Sequence, residues 1–429
     1  MLIRNYHDLA TDKLRQDGLT ILNAGLMAVA PDRVVGKLVR VEGQRLMIGE
    51  TAVADLTEYK RIFMVGAGKV AHAVAVALEP VLAPRLAGGV VVGTWQGQTE
   101  KIEYVEADHP LPSLKNVEAS EKLVEMVERA GGDDLVVAII TGGGSSMLCL
   151  PHVMSVEAQA RLIDALMKAG ADIFEVNTVR KHTSQVKGGW LASKGKKTNM
   201  VALIFSDVIG DDLSMVASGP TVADQTTVAD AQLILKKYNL WEECTRQGCK
   251  LIETPKDEAV FERVKNILVV SNRLALEAMG NKAQELGYST QVLQTAVSGE
   301  ARLVGRELLG RLDQPGQAVI AGGETTVHVT GTGQGGRNQE LVLGCLAALG
   351  DNQVIISCAS DGVDNKTKFA GAIGDKKTLD EATKKILNPE IFLDNNDATN
   401  FFEQEGDGIE TGPLPSNVAD LMIAINGKV

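Results

Sequence analysis

The sequence predicts an α/β protein of two domains built on covered parallel sheets. Three observations carry this. Apolar runs of strand length alternate with amphipathic runs of helix length, most strand candidates are rich in Val and Ile without polar alternation, and 429 residues exceed what one compact core holds. A strand buried on both faces reads as a continuous apolar run, the pattern of a sheet with helices packed on each side.

The predicted strands are 61–65, 88–93, 135–141, 200–206, 266–271, 289–294, 317–321, 326–330 and 354–359. Between them lie helical patterns at 113–131, 273–286 and 299–312, and one that Ser155 can cap, with Val156, Ala160, Ile163 and Met167 on one face. Short connections between alternating strands and helices imply right-handed βαβ units. Residues 1–30 read as helices with a turn near Asp17–Gly18. The least regular stretch, 241–265, is polar and contains Pro255. It sets the expected junction between a domain at 1–245, allowed to be discontinuous, and one at 246–429.

The composition is that of a globular chain, 45% hydrophobic and 23% charged. A formal net charge of −12 argues against general nucleic-acid or anionic-membrane binding, and aromatic content of 4% argues against base-stacking platforms. The N-terminal segment lacks the apolar core of a signal peptide, and no run of 18 apolar residues appears. The five cysteines form no CxxC pair, so Cys244 and Cys249 are expected as free thiols in a cytoplasmic protein.

In an open parallel sheet, ligands sit at the carboxyl ends of the strands, so the residues following each strand carry the functional reading. Gly66-Ala67-Gly68-Lys69 follows the first strand and precedes a helix, an anion site with Lys69 directed at a phosphoryl or carboxylate group. It lacks the acidic ribose-binding residue of a dinucleotide fingerprint and the Ser or Thr of a Walker A loop. Gly142, Gly143, Gly144, Ser145 and Ser146 follow the third strand, offering bare N–H donors and two hydroxyls to an oxyanion. Arg180 and Lys187, seven residues apart, are placed to share a helix face. Asp207, with Asp211 and Asp212 just beyond it, is a candidate Mg²⁺ ligand or general base. Glu324 follows Gly322-Gly323, and Gly335-Gly336 leads into Arg337, a donor-rich cradle with a cation able to grip an oxyanion at two points. Asp361 and Asp364 follow the last strand.

These segments together resemble the MOFRL-type glycerate 2-kinases, some of whose members are labelled hydroxypyruvate reductases. The resemblance rests on VGAGK (65–69), TGGGSSM (141–147), NTVRKH with QVKGG (177–182, 185–189), SDVIGDD (206–212), ASGP (217–220), GGETTVHVTGTGQGGRNQE (322–340), SDGVDN (360–365), NNDA (395–398), and TGP with NVADLMIAI (411–413, 417–425), in the family's order.

The resemblance implies an N-terminal Rossmann-like domain and a C-terminal α/β domain of MOFRL type with the active site in the cleft between them. It implies transfer of the γ-phosphoryl group of ATP to the 2-hydroxyl of D-glycerate with Mg²⁺, by a monomer or homodimer acting on small molecules. Lys69 and Arg337 are implied as catalytic; the base is unassigned, with Asp207 and Asp361 as candidates. The glycine loops, including Gly335 and Gly336, would hold nucleotide, and Arg180, Lys187, Glu324, Asn338 and Asn417 would hold the acceptor. The sequence departs from the family at NKTKFAGA (365–372), TGPLPSN (411–417) and Trp190, which bears on acceptor choice. The alternatives are an NAD(P)H-dependent hydroxypyruvate reductase or a kinase of a related hydroxy acid.

Overall fold

The computed structural model describes every residue except 95, 96, 196, 209, 294, 295 and 429. The chain forms two compact units, one of Val34–Val270 and one of Met1–Arg33 with Ser271–Val429.

The first unit opens with a small antiparallel sheet of β1 (Val39–Glu42), β2 (Arg45–Ile48) and β3 (Thr51–Asp55). Its main sheet comprises β4 (Arg61–Ala67), β5 (Leu86–Gly93), β6 (Ile102–Glu106), β7 (Asp134–Thr141), β8 (Asn199–Phe205) and β9 (Val264–Val270). The order is β6-β5-β4-β7-β8-β9, every pair parallel. Counted from β4 this is the doubly wound order 3-2-1-4-5-6, which reverses between β4 and β7. All eight residues of β7 are buried, which is why its sequence shows no polar alternation. The helix Leu114–Arg129 starts at a Ser113–Asn116 capping box, and the helix Val156–Lys168 starts at Ser155, whose side chain accepts from Ala158 N.

The second unit holds β10 (Ser289–Val292), β11 (Val297–Glu300), β12 (Gln317–Thr326), β13 (Gln353–Ala359), β14 (Gly371–Asp375), β15 (Gly408–Ile409) and β16 (Asp420–Asn426), in the order β10-β12-β16-β13-β14-β15 with β11 beside β12. Here the expectation of a parallel sheet fails. β16 inserts antiparallel between β12 and β13, and only β10 and β11 run parallel to β12. The central strands are buried on both faces all the same, so their sequences carry no mark of strand direction.

Other expectations are corrected here. The units part at 33/34 and 270/271 rather than at 245/246, because β9 continues the ladder of β8. The helix Lys13–Ala28, part of the other unit, packs on the helix Asn272–Glu285, on β13 and on β16. Gly18 marks no turn. The helix runs through it, and a Cβ there would stand 2.8 Å from Ile356 Cδ1, so glycine lets the helix lie close on the sheet. β12 continues to Thr326, so Gly322–Glu324 lie within a strand, and residues 327–330 form none. Cys244 and Cys249 are joined as a disulfide. The helix Trp241–Arg246 ends in a turn in which Cys249 N donates to Cys244 O and Gly248 N to Thr245 O, folding the two cysteines back on each other.

Candidate active site

In the Val34–Val270 unit the loops after β4 and β7 meet at the point where the strand order reverses. Gly68 has φ +125°, and a Cβ on it would stand 2.2 Å from Thr141 Oγ1 and 2.7 Å from Gly142 O. Only glycine permits that approach. Lys69 N donates to Gly142 O at 2.9 Å, tying the two loops together. A Cβ at Gly143, φ +79°, would lie 2.9 Å from Lys69 Cγ and 3.4 Å from His109 Nε2, so Lys69, Gly143 and His109 are neighbours. Burial, and then the charge of Lys69, hold His109 below its ordinary pKa.

Gly142 serves a different contact. Its Cβ would stand 1.9 Å from Asp207 Oδ2, so the carboxylate lies directly against the loop backbone. Beyond Gly143 a short helix, Gly144–Met147, carries Ser145 and Ser146. Ser145 Oγ is 3.0 Å from Ser218 Oγ, which donates to Asn177 Oδ1 at 2.8 Å. Asn116 Nδ2 holds the Ser146 carbonyl at 3.0 Å. Asp211 is half-buried with φ +56°, and exposed Asp212 accepts from Ser214 N.

Arg180 and Lys187 do not share a helix, since that helix ends at His182. A cavity joins them instead. Its volume is about 340 Å³, and Arg180, Lys187, Gly143, Ser145, Ser146 and His109 are among its lining. Lys187 is 2% exposed and donates to the Leu148 carbonyl. Burial pulls its pKa down to about 8 and lowers that of Arg180 as well. The neighbouring Lys181 differs, being paired with buried Asp224 at 3.1 Å. Two cations crowd one cavity with no ion pair to a carboxylate among the described residues, an arrangement that an anionic ligand relieves.

In the other unit, Arg337 begins the helix Arg337–Leu343. Its Nε donates to Asp420 Oδ2 at 2.6 Å, its Nη2 to Asp420 Oδ1 at 3.1 Å, and its Nη1 to Glu324 Oε1 at 2.7 Å. Asp420 is fully buried and Glu324 exposed. Burial pushes the Asp420 carboxyl up to about 6, against the opposing pull of Arg337.

The glycine run before Arg337 is not an open cradle. The anion at this helix start is the protein's own Asp364, which accepts from the backbone N–H and side-chain amide of both Asn338 and Gln339. A Cβ at Gly336 would stand 2.2 Å from Asp364 Cγ. Upstream, Gly331 N and Gln334 N donate to Asn396 and Asp397 side chains, and Gly335 closes on Asn396 O. Asn338 is held by the same carboxylates. It is buried, its amide bridges Asp364 and Asp420, and its Oδ1 accepts from Ser357 Oγ at 2.6 Å. Asp361 and Asn417 are half-buried on two neighbouring loops, Leu414 N donating to Asp361 O.

Sequence reasoning missed the 109–112 segment, which carries no charge pattern, and the anchoring role of Asp420. The signal for Asp420 was present: it is the single carboxylate opening the otherwise apolar run 421–425.

A doubly wound parallel sheet whose glycine-rich switch-point loops lie beside Lys69, Arg180 and Lys187 defines a phosphate-handling α/β enzyme. The DUF4147 domain-of-unknown-function model matches residues 17–253, and the MOFRL family model matches 317–420. The glycerate 2-kinase of Pyrococcus horikoshii is 34% identical, covering 96% of this chain and 97% of its own. The D-glycerate 2-kinase of Thermotoga maritima is 34% identical over 96% and 99%. A crystal structure of glycerate kinase from Thermotoga maritima superposes with a TM-score of 0.82 at 33% identity, covering 96% of this chain and 99% of that one. The chain belongs to the MOFRL-type glycerate 2-kinase family.

Proposed function

We propose that this protein transfers the γ-phosphoryl group of ATP to the 2-hydroxyl of D-glycerate, giving 2-phosphoglycerate and ADP. The observation that carries the reading is the match to glycerate 2-kinases over nearly the whole of both chains. The geometry gives it physical sense. Phosphoryl transfer needs positioned charge more than covalent chemistry, and the parallel-sheet unit gathers Lys69, Arg180 and Lys187 around one glycine-serine loop.

Lys69 and Arg337 are assigned to stabilise the transferring phosphoryl group or to grip the acceptor carboxylate. Arg337 is held by Asp420 along one edge, and Glu324, exposed and displaceable, meets the other. Glu324 and Asn417 are assigned to the acceptor, and Asp207 or Asp361 takes the hydroxyl proton.

Among the described residues no group of three or more metal-ligating side chains occurs. A protein cage for Mg²⁺ is therefore absent there, but Mg²⁺ that arrives on nucleotide needs only one or two carboxylates. Asp207, against Gly142 of the phosphate loop, fits that donor set, with Asp211 as the second candidate. Bound there, Mg²⁺ would neutralise phosphate charge.

No helix among the described residues is long and apolar enough to cross a membrane. The reading is of a cytoplasmic enzyme, monomeric or homodimeric, acting on small molecules. An ADP-release assay with ATP, Mg²⁺ and D-glycerate tests it. Release dependent on D-glycerate supports it, and absence of release sinks it.

A further inference from the structure

The cavity beside Arg180 and Lys187 is lined by two unlike kinds of residue. Arg180, Lys187, Ser145 and Ser146 are cationic or hydroxylic. Leu111, Pro112, Ile163 and Met167 are apolar. Leu111 and Met167 are 62% and 48% exposed. Single exposed apolar residues need no explanation, but two lining one cavity offer surface for a ligand to cover.

A three-carbon hydroxy acid would satisfy the cations and leave the apolar lining wet. Inorganic phosphate would do the same. A ligand that joins a polyanion to a flat, largely apolar ring satisfies both kinds of lining. The cations supply more positive charge than one carboxylate neutralises, because Lys187 and Arg180 share the cavity with no carboxylate paired to either among the described residues.

We infer that this cavity is the donor nucleotide's site, the base lying on Leu111, Pro112, Ile163 and Met167 and the phosphates on Arg180, Lys187 and the Ser145–Ser146 loop. The inference rests on the kinase reading and moves Arg180 and Lys187 from the acceptor to the nucleotide. Lys69, beside Gly143, then stands next to the phosphate end of the cavity.

The test uses the full chain and two rim variants, Leu111→Asp and Met167→Glu, whose exposure spares the core. Binding of a fluorescent N-methylanthraniloyl ADP is titrated directly, and KM is measured for ATP and for D-glycerate. Both variants are expected to weaken nucleotide binding and raise the KM for ATP about tenfold or more, since a carboxylate replaces apolar contact and repels phosphate. The KM for D-glycerate is expected to stay within about twofold, well under the 1.4 kcal/mol of a tenfold change. Leu114→Asp, equally exposed and outside the cavity lining, is expected to change neither.

A rise in the KM for D-glycerate alone would put the acceptor in the cavity and overturn the inference. Unchanged nucleotide affinity in both rim variants would overturn it too, as would an equal loss in Leu114→Asp. Wild-type protein that binds the fluorescent ADP yet releases no ADP with any 2-hydroxy acid would sink the kinase reading instead, while the titrations still decide the cavity.

Discussion

Arg337 and Asp420 meet edge to edge, with Nε 2.6 Å from Oδ2 and Nη2 3.1 Å from Oδ1. The pair fixes the plane of the guanidinium and leaves Nη1, now on Glu324, as the group a ligand can take over. Asp420 is thus a positioning residue for Arg337. Asp420→Asn keeps the shape and removes the charge, so it should lower kcat by about 10²-fold while the KM for ATP moves little.

The same pair has a pH signature. Burial raises the Asp420 carboxyl to about 6, so protonation below that value releases its hold on Arg337. A pKa raised in the fold also means that this group favours the folded state at low pH and that the contribution is lost as pH rises through about 6. Stability and activity therefore respond to Asp420 in opposite directions. The kcat–pH profile should show an acid limb near 6 that Asp420→Asn abolishes.

Lys187 trades stability for charge. Its pKa is about 8 in the fold and about 10.5 when unfolded, so between those values the unfolded chain binds more protons, and stability rises with pH through that window. At neutral pH the buried cation costs on the order of 3 kcal/mol. Lys187→Met should therefore raise the melting temperature by several degrees while activity falls about 10²-fold. A lower melting temperature would show that its bond to the Leu148 carbonyl outweighs the burial cost.

Much of this was legible in the sequence, unevenly. The six-stranded sheet announced itself through runs such as 135–141, and Gly68 with glycines 142–144 marked the switch-point loops because a side chain at those positions meets neighbouring atoms. The mixed sheet was read as parallel, since burial on both faces erases the alternation that reports direction. The run 331–336 misled for a related reason: its glycines permit close approach, and the partner is the chain's own segment 395–398 and Asp364. Sequence shows that something must come near such a loop, not what. The cavity that joins Arg180 to Lys187 was invisible for the same cause, because the residues completing it come from three other segments, 109–112, 143–149 and 159–167.

Gly142 and Asp207 make a second testable couple. Asp207→Asn should raise the Mg²⁺ concentration for half-maximal activity about tenfold or more if the carboxylate holds nucleotide-borne Mg²⁺. Gly142→Ala should reproduce much of that defect, since its Cβ would stand 1.9 Å from Asp207 Oδ2 and displace it. Activity titrated against Mg²⁺ for both variants checks the coupling.

Lys69→Ala should lower turnover about 10³-fold, the scale on which a cation at a transferring phosphoryl group acts. Steady-state kcat with saturating ATP and D-glycerate reads it directly, and near-normal turnover would remove Lys69 from the chemistry.

The central claim is the reaction itself, and phosphorus NMR of the product tests it most directly. Incubation with ATP, Mg²⁺ and D-glycerate should yield ADP and a phosphomonoester on carbon 2, absent without enzyme and greatly reduced with Lys69→Ala. A phosphomonoester on carbon 3, or no phosphorylated product alongside NAD(P)H oxidation by hydroxypyruvate, would contradict the account.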